Sequence, residues 1–544
     1  LEEGRVCTAR AKPRAPEARA QAVVASPLSR AAWLALAAIL AASAAVRFVA
    51  LGAEDLWLDE ARTVAVAQHE WLDLVGALAQ DNKPPLYYAA VHAWLRGFGE
   101  SEAALRSLSA LFGVLTVALC FAFGRDLLGT RGAIVAAMLV GLTPVAVHYS
   151  REGRNYAMLM FFVLLTTWSL HRALTLAADW RRWALYAAAL LASVATHYAG
   201  ALVLLVGLVQ VCLRPSRERW KAWAVSVGAV AVAFSPWLLV LRRQVEGIGS
   251  TLSWLVPFWE TYPPPVAIPL SLRAFLPGGA VPPFVGMPTL PALQPWLVLG
   301  GLALAAILAW PGRTDWLHPV RGTARAELLA YLFLPLAVPF AVSFVKPVYM
   351  VGRSDVLVLP AFSLLLALAV GRLRSTAAQS VVAAALLAAC IAGLAHYFAN
   401  PQRTLERESF RTLAVEARDG DLLVCTDLTR PTAEYYLRRL APGVQVEFLS
   451  YPADMAKHPA TIDRNAYRAR GEQLDRDADA ILTRVRRASA EERRVVILNV
   501  SSGVTDPLRR ALSREFVLVR HSSMPAYRLN RVLLPVEVLV PRRR

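Results

Sequence analysis

Apolar runs of membrane-spanning length recur along this chain, and they constrain its fold more than any other feature. A helix needs about 20 mostly apolar residues to cross the hydrocarbon core of a bilayer. Candidate spans are Ala31–Leu51, Leu105–Phe123, Gly132–Val147, Ala157–Leu170, Trp220–Leu241, Pro295–Trp310, Glu327–Val345, Val356–Val370 and Thr376–Tyr397. Hydrophobic residues make up 56% of the 544, above the roughly 45–50% of soluble domains. The expected fold class is therefore a polytopic α-helical membrane protein.

One stretch, Trp183–Leu213, is long for one helix and short for two, and the basic loops decide between them. If it is two helices, then the N-terminus, Arg125/Arg131, Arg172/Arg181/Arg182, Arg214/Arg217/Arg219/Lys221, Arg313/Arg321/Arg325 and Arg372/Arg374 all fall on one side. That is the pattern produced when Lys and Arg are retained in short cytoplasmic loops. The expectation is about 11 spans with a cytoplasmic N-terminus and everything after Tyr397 outside the cytoplasmic membrane. The same placement accounts for the net charge of +18, since no basic segment is interleaved with aromatic residues as in a nucleic-acid module. Five scattered cysteines, Cys7, Cys120, Cys212, Cys390 and Cys425, predict neither a disulfide framework nor a structural zinc site.

Three domains are predicted. Residues 1–30, rich in Ala, Arg and Pro, form a disordered basic N-terminus, and the apolar run after them, lacking a clear small-residue cleavage site, is a retained first helix. Residues 31–400 form the transmembrane domain. Residues 401–544 form a small extracytoplasmic α/β domain, with strands at Asp421–Thr426, Val444–Leu449, Arg494–Val500 and Phe516–His521 and helices at Pro431–Leu440, Asn465–Ala488 and Asp506–Glu515. The tail has no Gly-rich phosphate loop, which favours an accessory or acceptor-binding role.

The predicted outer loops are Gly52–Ala104, His148–Tyr156, Thr196–Tyr198, Arg242–Leu293 and Lys346–Asp355. In the first, interfacial helices are expected around Glu60–Leu78 and Pro85–Phe98, while the prolines at 263–265 and 282–283 exclude regular helix through the middle of the fourth. Ionisable groups beside a span are costly unless they pair or act, and these loops concentrate them. Asp59 and Glu60 follow the apolar anchor Leu56-Trp57-Leu58; they suit a helix N-terminus, but a cap needs one acid only, and a carboxylate here can take an acceptor's proton or hold a divalent cation. Lys83, before Pro84-Pro85, is either a snorkelling lysine or a compact cation for phosphate. Arg151 and Arg154 can bind phosphate or neutralise Glu152 within a turn. His197-Tyr198, at a helix hairpin, is more often a satisfied pair than a ligand. Lys346, Tyr349, Arg353 and Asp355 stand at the mouth of a span, where cations meet lipid phosphate or simply anchor the interface. Cations on three outer loops with one acid pair are what a lipid-phosphate leaving group and a general base require.

The Asp59-Glu60 pair, Asn82-Lys83-Pro84-Pro85-Leu86-Tyr87-Tyr88, Arg151-Glu152-Gly153-Arg154-Asn155-Tyr156 and Lys346-Pro347-Val348-Tyr349 together resemble the GT-C superfamily of polyprenyl-phosphate-sugar glycosyltransferases. The resemblance covers roughly Ala31–Tyr397. It is nearest the bacterial branch related to protein O-mannosyltransferases and the lipid A aminoarabinose transferase. It implies inverting transfer, metal-independent or metal-assisted, to an envelope glycan, lipid or protein acceptor, with Asp59 as catalytic base and Glu152 as a second acid. Lys83 and Lys346 would hold the donor phosphate, with Tyr349 and Arg353 beside it. The competing class, a transporter or flippase of a lipid-linked precursor, expects ionisable residues midway along several spans, whereas these runs are mostly Ala, Leu and Val.

Overall fold

Helix α1 (Arg30–Phe48) begins where the Ser29 hydroxyl accepts the Ala32 amide, and it carries the first apolar run. The computed structural model describes residues 27–79, 83–251, 255, 259, 264–278, 322–353, 355–399, 410–411, 413–415, 417–457, 469–498, 504–525 and 533–541. The N-terminal stretch to residue 26 and the expected span Pro295–Trp310 lie outside them.

Three short helices follow α1: α2 (Leu58–Ala67), α3 (Trp71–Ala79) and α4 (Pro85–Phe98). The sequence predicts one helix over Glu60–Leu78, but two are present. The chain breaks after Ala67 because side chains take the terminal carbonyls of α2: His92 of α4 bonds the Ala67 carbonyl at 2.8 Å, and His69 reaches those of Ala65 and Val66 at 3.1 Å. Such capping ends a helix whose last carbonyls have no intrahelical donor.

Helix α5 (Glu102–Leu142) runs for 41 residues but breaks at Gly129, whose φ of 74° suits glycine alone. A Cβ built on Gly124 would lie 3.0 Å from the Ala133 Cα, whereas nine residues of straight helix would separate them by about 13 Å. The element is thus a hairpin with arms at 102–128 and 130–142, matching the two runs in the sequence. Then come α6 (Pro144–Ser150), α7 (Tyr156–Thr175) and α8 (Trp180–Thr196), a 3-10 turn over Tyr198–Leu202, and α9 (Val203–Cys212). The ambiguous stretch is therefore two helices. They fold against one another, since a Cβ on Gly207 would meet the Tyr186 hydroxyl at 3.4 Å.

Helices α10 (Arg217–Phe234) and α11 (Trp237–Thr251) occupy what the sequence predicts as one straight span. They meet at 69°, because Pro236 lacks an amide hydrogen and clashes with the preceding turn. The prolines at 264 and 265 open helix α12 (Pro264–Phe275), where the first turn tolerates them. Helices α13 (Gly322–Val342), α14 (Leu359–Gly371) and α15 (Thr376–Ala399) follow among the described residues. Among the described residues, five helices are long and apolar enough to cross a membrane, counting the α5 hairpin once, and six if α10 and α11 form one broken span.

The described residues beyond α15 include a five-stranded sheet of order β2-β1-β3-β5-β4, with β1 (Leu422–Thr426), β2 (Glu447–Tyr451), β3 (Val495–Leu498), β4 (Phe516–Pro525) and β5 (Leu533–Pro541). Strands β2, β1 and β3 are parallel; β5, which the sequence pattern does not announce, joins β3 antiparallel. Leu422, Val424, Val495 and Ile497 pack on α17 (Gly471–Ala490) and α18 (Asp506–Ser513). Leu423, Cys425, Val496 and Leu498 share a core with α16 (Arg430–Leu440) and with α2 to α4. The Tyr436 hydroxyl accepts the Leu56 amide at 2.8 Å, and Tyr435 donates to the Glu100 carbonyl at 2.9 Å. The sheet is thereby seated directly over the segment that carries Asp59.

Candidate active site

Asp59 lies in the first turn of α2, beyond Trp57, which occupies the cap position without a side-chain cap bond. A helix N-terminus favours negative charge, and two arginines from distant segments reinforce it. Arg353 donates through Nη2 to Asp59 Oδ2 at 2.5 Å, and Arg154 Nη2 stands 3.5 Å from the same oxygen. Burial alone would raise the Asp59 carboxyl, but Arg154 and Arg353, helped by Arg62, pull it down to about 2. The carboxylate is ionised at any physiological pH.

Each arginine is itself held in place. Arg154 Nη1 reaches the Asp59 carbonyl at 3.1 Å and Thr63 Oγ1 at 3.2 Å. Arg353 donates through Nε to the Tyr156 hydroxyl, and its guanidinium lies 5.5 Å from the ring centres of both Trp57 and Tyr156. Such stacking suits a planar cation. The turn carrying Arg353 depends on Gly352, whose φ is 74°, whose amide donates to Asp355 Oδ2 at 2.9 Å and whose carbonyl accepts the Tyr149 hydroxyl.

Lys83 precedes α4, and its carbonyl accepts from Gln244 Nε2 at 3.2 Å; Gln244 also holds the Leu78 carbonyl at 2.7 Å. The bend at Pro236 is what aims α11, and so Gln244, at this loop. Lys346 is half-buried in the turn closing α13, seven residues before Arg353. Tyr349 is buried, hydrogen-bonded to Ser271 at 2.6 Å with its ring among Trp259 and Phe340.

Two of the expected roles are revised by this geometry. Glu60, adjacent to Asp59 in sequence, points into the core: Arg106 donates Nε to Oε1 at 2.8 Å and Nη2 to Oε2 at 2.6 Å, and the Gly153 amide adds a bond to Oε1 at 2.7 Å. Consecutive residues near a helix start diverge by about 100°, so the two acids cannot share a ligand. With Asp59 facing guanidiniums and Glu60 consumed by Arg106, the pair does not fit a divalent cation, and among the described residues no group of three His, Cys, Asp or Glu could hold one. Arg151, expected to bind phosphate, instead donates to the carbonyls of Val46, Arg47, Val49 and Ala50 and stacks on Phe398. It caps the C-terminus of α1, where a cation meets the negative end of the helix.

Glu152 is 8% exposed, and its Oε2 has no hydrogen-bond partner among the described residues. Burial pushes its carboxyl from the ordinary 4.5 up to about 7, against the pull of Arg353. A carboxyl that holds its proton more tightly when folded stabilises fully below its unfolded value and loses that contribution as pH rises through the folded one. The difference amounts to about 3 kcal/mol between pH 4 and pH 8. Thermal unfolding in detergent should therefore show lower stability at pH 8 than at pH 5, and Glu152→Gln should flatten the difference. Gly153 is tightly enclosed, since a Cβ there would lie 2.6 Å from Leu105 Cδ2 and 3.2 Å from Glu60 Oε1 and would push the Leu105 side chain aside. Gly153→Ala should cost about 1–3 kcal/mol, the usual range for overpacking, read as a lower melting temperature.

Sequence reasoning overlooks Arg106 and Gln244, and it gives Tyr156 no role of its own. Arg106 alone carries a usable signal, a charge one residue inside a predicted span.

Residues 82–240 match the family described as dolichyl-phosphate-mannose-protein mannosyltransferase. The Bacillus subtilis protein YkcB is 32% identical over 102 residues, which cover 19% of this chain and only 14% of that relative. Structural similarity extends much further. ArnT from Cupriavidus metallidurans, in a crystal structure bound to undecaprenyl phosphate, superimposes with a TM-score of 0.60 at 13% identity, covering 94% of this chain and 98% of the other. The archaeal oligosaccharyltransferase AglB from Archaeoglobus fulgidus gives 0.50 at 12% identity, over 94% and 76%. The chain thus has the GT-C fold that these solved structures share, and the mannosyltransferase family match lies across residues 82–240.

Proposed function

We propose that this chain is an inverting glycosyltransferase that moves a sugar from a polyprenyl-phosphate donor to an envelope glycan, lipid or protein acceptor at the outer face of the cytoplasmic membrane. The observation that carries the reading is the Asp59 carboxylate held between Arg154 and Arg353. Asp59 accepts the acceptor's proton as the acceptor oxygen or nitrogen bonds to the anomeric carbon. The bond from that carbon to the phosphate oxygen breaks on the opposite face, and the lipid phosphate departs as an anion. Arg353, Arg154 and Lys83, with Lys346 from the neighbouring turn, stabilise its charge. A carboxylate with so low a proton affinity is a weak base, but a phosphate that engages the two guanidiniums draws them from Asp59 and raises that affinity during the reaction. Glu152, whose burial raises its carboxyl to about 7, can hold a proton and act as a neutral donor beside Arg353.

The far end of the bundle supports this sidedness. Helix α7 starts at Tyr156 beside Arg353 and ends at Thr175, about 30 Å away, where Arg172 and the basic loop at Arg181 and Arg182 cluster. The positive-inside rule puts that end in the cytoplasm. Buried charges near it are paired: Glu327 accepts from Gln210 at 3.1 Å, bonds His171 at 2.9 Å and also binds Arg214. Paired groups tie α7, α9 and α13 together rather than line a path, which favours the enzyme over a transporter. On this reading the C-terminal sheet is extracytoplasmic and borders the acceptor's approach. Incubating the purified chain with labelled polyprenyl-phosphate sugars and membrane acceptors tests the proposal; sugar moved to an acceptor supports it, and donors left intact refute it.

A further inference from the structure

His197 ends α8, and its side chain is committed in a way that fixes its chemistry. The Nδ1 atom accepts the Ala199 amide at 3.0 Å, capping the 3-10 turn. A neutral imidazole has one protonated nitrogen, so a ring that accepts at Nδ1 carries its proton on Nε2. That N–H has no hydrogen-bond partner among the described residues, and the ring is half-buried.

The turn is clamped on both sides to segments bearing the site's cations. On one side, Asn155, next to Arg154, donates to the Thr196 carbonyl at 3.1 Å. On the other, the Tyr198 hydroxyl binds Gln244 Oε1 and accepts from Trp237 at 3.0 Å, while Gln244 Nε2 holds the Lys83 carbonyl. A Cβ on Gly200 would stand 2.3 Å from the Ser193 carbonyl oxygen, so only glycine lets the turn close this tightly. The turn that carries the ring is thus tied to the segments that bear Arg154 and Lys83.

We infer that His197 contacts the substrate, donating its Nε2–H to the phosphate of the lipid-linked donor between Lys83, Arg154 and Arg353. This rests on the donor reading given above. Burial, with the positive charges of Lys83, Arg154 and Arg353, holds the imidazole well below its ordinary 6.5 and keeps it neutral. A neutral donor adds a hydrogen bond to the anion without adding a further positive charge to three that already repel.

Binding of undecaprenyl phosphate to the purified full-length chain in detergent tests this. His197→Asn keeps an oxygen that accepts the Ala199 amide but has nothing at the Nε2 position. It should melt at the wild-type temperature and bind the lipid phosphate roughly 10- to 100-fold more weakly, the scale of one hydrogen bond to a charged group. His197→Gln, whose amide reaches farther, should recover part of the affinity. Wild-type affinity in His197→Asn would reduce His197 to a capping residue and overturn the inference. A wild-type protein that fails to bind undecaprenyl phosphate at all would instead overturn the donor reading, and this inference with it.

Discussion

Asp59→Asn should abolish sugar transfer, by about 10³-fold or more, while leaving the protein folded and able to bind its lipid donor. General-base catalysis contributes about 10²–10⁴-fold, and Asn retains the shape of the side chain without its proton affinity. The pairing seen here adds a sharper expectation. Replacing the carboxylate by a neutral amide removes the negative charge that competes with phosphate for Arg353 and Arg154, so polyprenyl phosphate should bind the variant at least as tightly as the wild type. Transfer lost with donor affinity kept or raised identifies Asp59 as the base. Donor affinity lost in parallel would make it a binding group, and full activity would remove it from the mechanism.

The second large effect concerns stability. Arg106 and Glu60 are both buried, and Arg106 donates as well to the carbonyls of Leu51, Glu54 and Asp55 at 3.1, 2.8 and 2.7 Å. One guanidinium thereby ties the end of the first apolar segment, the start of α2 and the first arm of α5 into one unit. Arg106→Ala leaves the buried Glu60 charge without its cation, held by the Gly153 amide, and breaking a buried pair from one side costs about 3–5 kcal/mol. Thermal unfolding in detergent should show this as a large drop in melting temperature. Removing both charges together, as Glu60→Gln with Arg106→Met, should recover much of the loss, because the stranded charge is then gone. If the double variant is as unstable as Arg106→Ala, the main contribution of Arg106 lies in the three carbonyls rather than in Glu60. Because the unit holds Asp59 in register with Arg154, transfer should fall with stability in the single variant.

Much of the site is legible in the amino-acid order. The logic that ionisable groups beside a span must pair or act selects Asp59, Lys83, Arg154, Glu152 and Arg353. It does not separate partners from reactants. Glu60 and Arg151 obey the same rule by pairing, one with Arg106 and the other with the carbonyls that end α1. Both roles are compatible with the sequence, and only the direction of each side chain decides between them. Arg353 and Asp59 lie 294 residues apart, and no local pattern announces such a contact. Gln244 is invisible for a related reason: it reaches the Lys83 loop only because Pro236 bends α10 from α11 by 69°.

What the sequence determined by itself was the predominance of apolar helices, the hairpin at Trp183–Leu213, and the grouping of charges in segments between them. Those follow from short-range physics: a run of apolar residues must satisfy its backbone internally in lipid, and a charge must stay near its edge. What the tertiary structure decided was which acid faces the cations and which is locked in the core. A rotation of about 100° per residue sends Asp59 and Glu60 to different neighbours, and those neighbours are supplied by helices that meet only when the whole bundle has packed.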